Sequence, residues 1–176
     1  MCHIMKTLIA YFSRKGNNYV GGNIVNLSVG NTEIAAKKIA ALTGGDLYEI
    51  KPVHSYSEDY AACTEEAKQE LRTDARPELS GTVPDLSSYD VIYLGYPIWW
   101  HSAPMVIGTF LESYDLSNID IYPFSQSASM DTEQFEQSMD FIRDCAGDAV
   151  VHEGLFAGAS DTEDITAWLA ENDLIK

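Results

Sequence analysis

Five times along the chain a short apolar run rich in β-formers is followed by a stretch whose apolar residues recur at helical spacing, and this alternation restricts the fold more than any other feature. The strand-like runs lie at 4–12, 46–50, 89–96, 119–125 and 149–156, and the helical patterns at 31–44, 57–72, 104–114, 131–146 and 161–172. Near-continuous apolar strands between amphipathic helices suit a parallel sheet covered on both faces. Right-handed crossovers leave few topologies for five such strands. The expectation is an α/β fold: a doubly wound five-stranded parallel sheet of order 2-1-3-4-5, with helices on both faces.

A chain of 176 residues with 45% apolar content can bury a core without staples, so residues 1–176 are read as one domain. Eleven Lys and Arg against 27 Asp and Glu give a net charge of −16. That charge repels phosphate backbones and anionic lipid, and so argues against nucleic acid or a membrane surface as partner. It favours partner proteins with basic docking faces. No run approaches the roughly 18 apolar residues of a membrane span, and the opening "MCHIMKTLIAYFS" lacks a cleavage site, so a cytoplasmic protein is expected. Cys2, Cys63 and Cys145 show no paired spacing. Neither a disulfide framework nor a zinc site follows from them.

In an open doubly wound sheet, ligands bind beyond the carboxyl ends of the strands where the strand order reverses, here between strands 1 and 3. Three unusual segments belong at that edge: Ser13 with "GNTE" at 30–33, "GYPIWWHSAP" at 95–104, and "PFSQSAS" at 123–129. The first offers hydroxyls and a helix N-terminus, whose unpaired N–H groups and positive dipole end suit an anion. Asn31 or Thr32 is a candidate cap, and Gly44-Gly45 a stop, for the helix that follows. About 17 residues, 14–30, intervene between Ser13 and Asn31. The partial alternation of "NIVNLSV" allows this arm to fold back as a ribbon and leave Ser13 beside Thr32.

The second segment sets two of the chain's three tryptophans side by side at a strand end. Such rings can sandwich a planar heterocycle, with stacking worth about 0.5–1.5 kcal/mol per pair; a buried core pair or a partner interface is the alternative. In the third segment, hydroxyls and N–H groups at 125–129 could serve a ligand or simply a polar turn.

Taken together, these residues resemble the flavodoxin family. Tyr11-Phe12-Ser13 followed by Gly30, Asn31 and Thr32, with Ala36 and Ile39 at helical spacing, is similar to its phosphate loop. "GYPIWW" followed by "AP", within 83–115, resembles the flavin-covering loop of a short-chain subfamily, and 56–79 is similar to that subfamily's connection between strands 2 and 3. The resemblance implies a flavodoxin-like fold with FMN as cofactor. Ser13, Arg14, Asn31 and Thr32 would hold the phosphate, and Pro97, Ile98, Trp99, Trp100 and His101 would cover the ring, with Trp99 or Trp100 stacking. Ser125, Gln126 and Ser127 would meet the pyrimidine edge, although the family's usual glycines are missing there. Tyr56, Tyr60, Arg76 and Glu78 are expected to be packing and loop anchors.

Rival readings lack their residues. There is no Gly-x-Gly-x-x-Gly turn and no Gly-Lys-Ser/Thr. The ends of strands 1 and 3 carry no carboxylate cluster for a phosphate-accepting receiver, and "WWHSAP" is not a nucleophile elbow. A low-potential electron carrier is therefore expected. An FMN-dependent NAD(P)H:quinone-type oxidoreductase is the alternative, and a homodimer is compatible with either.

Overall fold

The computed structural model describes residues 6–13, 16–20, 23–27, 31–81, 85–99, 102–126, 132–156 and 162–172. In chain order the elements are β1 (Thr7–Tyr11), β2 (Gly16–Val20), β3 (Asn23–Leu27), α1 (Asn31–Thr43), β4 (Asp46–Glu49) and α2 (Tyr60–Thr73). A short 3₁₀ turn (Leu86–Ser88) precedes β5 (Val91–Pro97), α3 (Met105–Glu112), β6 (Asp120–Gln126), α4 (Thr132–Ala146), β7 (Val150–Val151), β8 (Leu155–Phe156) and α5 (Thr162–Glu171). The main sheet is parallel in the order β4-β1-β5-β6-β7, with β8 also pairing β6. Counting the divided last strand once, this is the expected 2-1-3-4-5.

The period of two along each strand divides the core into two layers. Leu8, Ala10, Phe12, Ile92, Leu94, Tyr96 and Ile121 face α3 and α4. Ile9, Tyr11, Val91, Tyr93, Tyr122 and Phe124 face α1 and α5. Each fully buried aliphatic among them contributes about 1.5–3 kcal/mol, so the three central strands form a stiff base for their C-terminal ends. At Gly95 the close approach is visible: a Cβ there would come within 2.3 Å of the Phe124 ring on the neighbouring strand. The glycine of "GYPIWW" is thus required by packing under the loop.

Helix boundaries follow their caps. α2 starts at Tyr60, later than the spacing suggests, because Asp59 accepts a hydrogen bond from Ala62 N at 2.9 Å and ends the preceding loop. α1 stops where Gly44, at φ +74°, returns its N–H to Ala40 O.

The continuous last strand expected at 149–156 is a correction: it is two short pieces separated at 152–154. Val150 N and His152 N donate to Ile119 O and Ile121 O, so the odd-numbered residues of β6 direct their polar groups toward this strand. The next in that series is Pro123, which has no N–H to offer. The ladder breaks there and resumes at Phe124↔Leu155.

The arm forms a second, two-stranded antiparallel sheet, Gly16↔Leu27 to Val20↔Asn23. The two positions between Val20 and Asn23 are both glycine, the residue type that two-residue hairpin connections favour. β2 lies against α2.

Candidate functional site

At the end of β1 the ribbon leaves and returns, and the two ends of the phosphate-type loop meet again. Ser13 Oγ accepts a hydrogen bond from Glu33 N at 3.1 Å. A strand residue thereby caps the first turn of α1 across the insertion. Because a hydroxyl has two lone pairs and one proton, accepting this bond does not use the Ser13 O–H. Thr32 is buried beside it, and Asn31 opens the helix. The Glu33 carboxylate stands in the same turn, but Lys37 holds it at 2.9 Å from one turn along. Neutral donors at a positive helix end fit a phosphate monoester.

At the end of β5, Trp99 and Ser102 exchange both backbone hydrogen bonds, Trp99 N to Ser102 O at 2.8 Å and Ser102 N to Trp99 O at 3.1 Å. The two residues thus form an antiparallel bridge, and Pro104 leads directly into the buried helix α3. Trp99 is half-buried. Its ring lies 5.3 Å from Phe12 at 87° and 5.0 Å from Tyr56 at 89°, while Phe12 and Tyr56 meet at 5.8 Å and 79°. Three mutually perpendicular rings, two from the ends of β1 and β5 and one from the connection between β4 and α2, form an aromatic corner, the edge-to-face arrangement that the ring quadrupoles favour. Ile98 packs under them, and Pro97 ends β5 opposite Gln126 of β6.

The end of β6 is tied to β5. Ser125 Oγ donates to Tyr96 O at 2.5 Å, and the fully buried Tyr96 hydroxyl is 3.0 Å from Ser138 Oγ on α4. The Ser125 hydroxyl proton is thus committed within the protein, so only its backbone and lone pairs are left to a ligand. Burial raises the Tyr96 phenol well above its ordinary value. Burial, then Glu49 and Glu33, push Tyr11 up to about 12.

The structure therefore places Ser13, Thr32, Asn31, Pro97, Ile98, Trp99, Ser125 and Gln126 at the C-terminal ends of β1, β5 and β6 and the start of α1. Arg14, Trp100, His101 and Ser127 lie outside the described residues. Arg76 and Glu78 are anchors as expected: Arg76 bonds Glu112 at 2.7 Å and Asp74 at 2.8 Å, and Glu78 O accepts from Val53 N. Phe12 and Tyr56 were the residues not singled out for the site. Phe12 carries a sequence signal, an aromatic at the end of β1 beside the β5 end, whereas Tyr56 reaches the corner from a connection whose path the sequence does not fix. Among the described residues no group of three or more His, Cys, Asp and Glu side chains could hold a metal ion. No described helix is long and apolar enough to cross a membrane.

A family model described as Flavodoxin matches residues 6–172, nearly the whole chain. The chain belongs to the flavodoxin family. Among solved structures, this flavodoxin is similar to a candidate flavoprotein from Bacteroides eggerthii DSM 20697, with 29% identity over 94% of this chain and 96% of that one, and a TM-score of 0.71. A candidate flavoprotein from Bacteroides uniformis ATCC 8492 shares 28% identity over 94% and 98%, with a TM-score of 0.73. The fold also matches a flavoprotein from Lactobacillus acidophilus NCFM solved in complex with FMN, at 20% identity over 94% and 99%, with a TM-score of 0.69. No curated protein matches the chain.

Proposed function

We propose that this flavodoxin binds FMN beyond the C-terminal ends of β1, β5 and β6 and serves as a low-potential electron carrier. The observation that carries the reading is the Ser13–Glu33 hydrogen bond, which keeps a phosphate-type donor set intact across an insertion that could have dispersed it. Ser13, Asn31 and Thr32, with Arg14 from the adjoining loop, would hold the phosphate. Trp99 or Trp100 would cover the ring and keep water from it, with Pro97, Ile98 and His101 along its edge and the backbone of Ser125, Gln126 and Ser127 at the pyrimidine side. Bound FMN supplies one- and two-electron chemistry; the protein supplies shape and charge. Family membership and the fold shared with an FMN complex support the cofactor. The charge of −16 supports the carrier role, since it steers partners with basic docking faces and repels phosphorylated nicotinamides.

Two measurements test the reading. Purified protein should be yellow, or apoprotein should take up FMN stoichiometrically with quenching of flavin fluorescence; colourless protein indifferent to millimolar FMN would end the proposal. Mixing the flavin-loaded protein with NADH or NADPH should leave the flavin oxidised on the timescale of a reductase turnover. Rapid direct bleaching would instead favour the NAD(P)H:quinone-type oxidoreductase.

A further inference from the structure

Tyr56 lies in the connection between β4 and α2, and its ring forms one side of the aromatic corner at Trp99. Its hydroxyl donates to Glu70 Oε2 on α2 at 2.5 Å. One turn earlier on the same helix, Glu66 Oε1 accepts from Ser57 N at 3.1 Å. Two carboxylates spaced i, i+4 thus grip successive residues of the connection. Packing alone does not call for this arrangement. A phenylalanine would fill the corner as well, and placing a carboxylate against the core has a cost: burial raises the Glu70 pKa although the Tyr56 hydrogen bond lowers it. The hydrogen bond to Glu70 gives the ring one preferred direction.

The only described rings in contact with Trp99 are those of Phe12 and Tyr56. Phe12 is fixed by the sheet, its N–H bonded to Gly95 O at 3.0 Å. Tyr56 stands on a connection outside any strand or helix, so its direction depends on Glu70. We propose that Tyr56, tethered by Glu70, is a positioning residue that sets the plane of Trp99 and with it the base of the loop that covers the flavin. The inference rests on the reading that this loop covers FMN, and it assigns to α2 a control over the ring end of the site.

The test compares wild type with Tyr56→Leu, Tyr56→Phe, Glu70→Leu and Glu70→Gln. Near-UV circular dichroism of each apoprotein reports tryptophan orientation without flavin. Titration with FMN and with riboflavin, and visible circular dichroism of bound flavin, report the loop. Losing one edge-to-face contact should weaken both ligands by about three- to tenfold in Tyr56→Leu, because the ring end and not the phosphate is disturbed. Tyr56→Phe and Glu70→Leu should alter both dichroism spectra alike and weaken binding less. Glu70→Gln, whose amide oxygen still accepts from the phenol, should return both spectra toward wild type. If Tyr56→Leu does not fold, the Tyr56→Phe and Glu70 variants carry the comparison. Unchanged spectra and affinity in Tyr56→Phe and Glu70→Leu, with wild type binding FMN, would overturn the inference alone; a wild type that binds no FMN would overturn the functional reading with it.

Discussion

The hydroxyl of Ser13 accepts a hydrogen bond from the backbone N–H of Glu33, 3.1 Å away and twenty positions along the chain. It ties the end of β1 to the start of α1 across the inserted ribbon, and on the proposed reading this would hold the phosphate end of the site together. On the proposed reading one side chain would then have two tasks, capping a helix and presenting a donor to the phosphate.

Ser13→Ala should therefore show both losses. Stability should fall by about 1 kcal/mol, the usual value of a lost N-terminal cap. FMN binding should weaken by roughly tenfold, on the order of one hydrogen bond to a charged group, while riboflavin, which has no phosphate, should bind as before. Parallel fluorescence titrations separate the two ligands. An equal loss for both would place Ser13 away from the phosphate.

The ribbon β2–β3 should be dispensable for the same reason. With residues 14 to 30 replaced by a short glycine- and asparagine-containing turn, the Ser13–Glu33 contact needs no long connection. Shortening a surface loop changes closure entropy by only about 0.6 kcal/mol per halving. The shortened protein should fold, with a melting temperature within a few degrees of wild type. FMN affinity should change only by what Arg14 contributes, so Arg14→Ala in the full chain is the matched comparison. A shortened chain that aggregates would show the ribbon to be part of the fold, packed on α2.

The strand order and the two layers of core were legible in the sequence because apolar periodicity encodes which face is buried. Ile9 and Tyr11 against Leu8 and Ala10 already carry that division. The break in the last strand was not read, although its cause, Pro123, lies on the neighbouring strand. A missing N–H harms the partner it would have bonded, and a single-strand reading does not say which side each residue faces. The Tyr56–Glu70 contact, 14 positions apart, was hidden for a similar reason: it depends on how a connection lies against a helix.

Gly154, in the gap between β7 and β8, should tolerate no side chain. A Cβ there would sit 2.7 Å from Pro123 O and 2.7 Å from the Phe135 ring. The carbonyl belongs to a central strand and cannot move aside. Gly154→Ala should cost about 1–3 kcal/mol, as overpacking does. The shift should appear in the urea midpoint with an unchanged slope; wild-type stability would mean that the gap is looser than its geometry.

Alkaline pH should unfold the protein before its tyrosines titrate. Burial, followed in turn by the charges and hydrogen bonds around each ring, raises Tyr11, Tyr89 and Tyr114 to about 12, against about 10 in an unfolded chain. Between those values the native state holds protons that the unfolded state has released. Their stabilising contribution is complete below about pH 10 and is lost as pH rises toward 12. Tyrosinate absorbance should therefore lag behind the ordinary curve and then rise together with loss of far-UV dichroism. A smooth titration near pH 10 in folded protein would contradict the partial burial, and for Tyr11 and Tyr89 the carboxylate neighbours, that raise these phenols.

Salt should raise the reduction potential of bound flavin. A chain of this length has a radius of gyration of about 16 Å. Sixteen net negative charges at roughly that distance in water oppose an added electron by on the order of 4 kcal/mol before screening. Raising ionic strength from about 0.01 M to 0.15 M shortens the Debye length from about 30 to 8 Å and removes nearly half of that, about 2 kcal/mol. For one electron this corresponds to roughly 80 mV. Spectroelectrochemical titrations at the two ionic strengths should show an upward shift of tens of millivolts. A potential indifferent to salt would assign its value to the contacts at the ring, and Tyr56→Phe would then move it more than any change of surface charge.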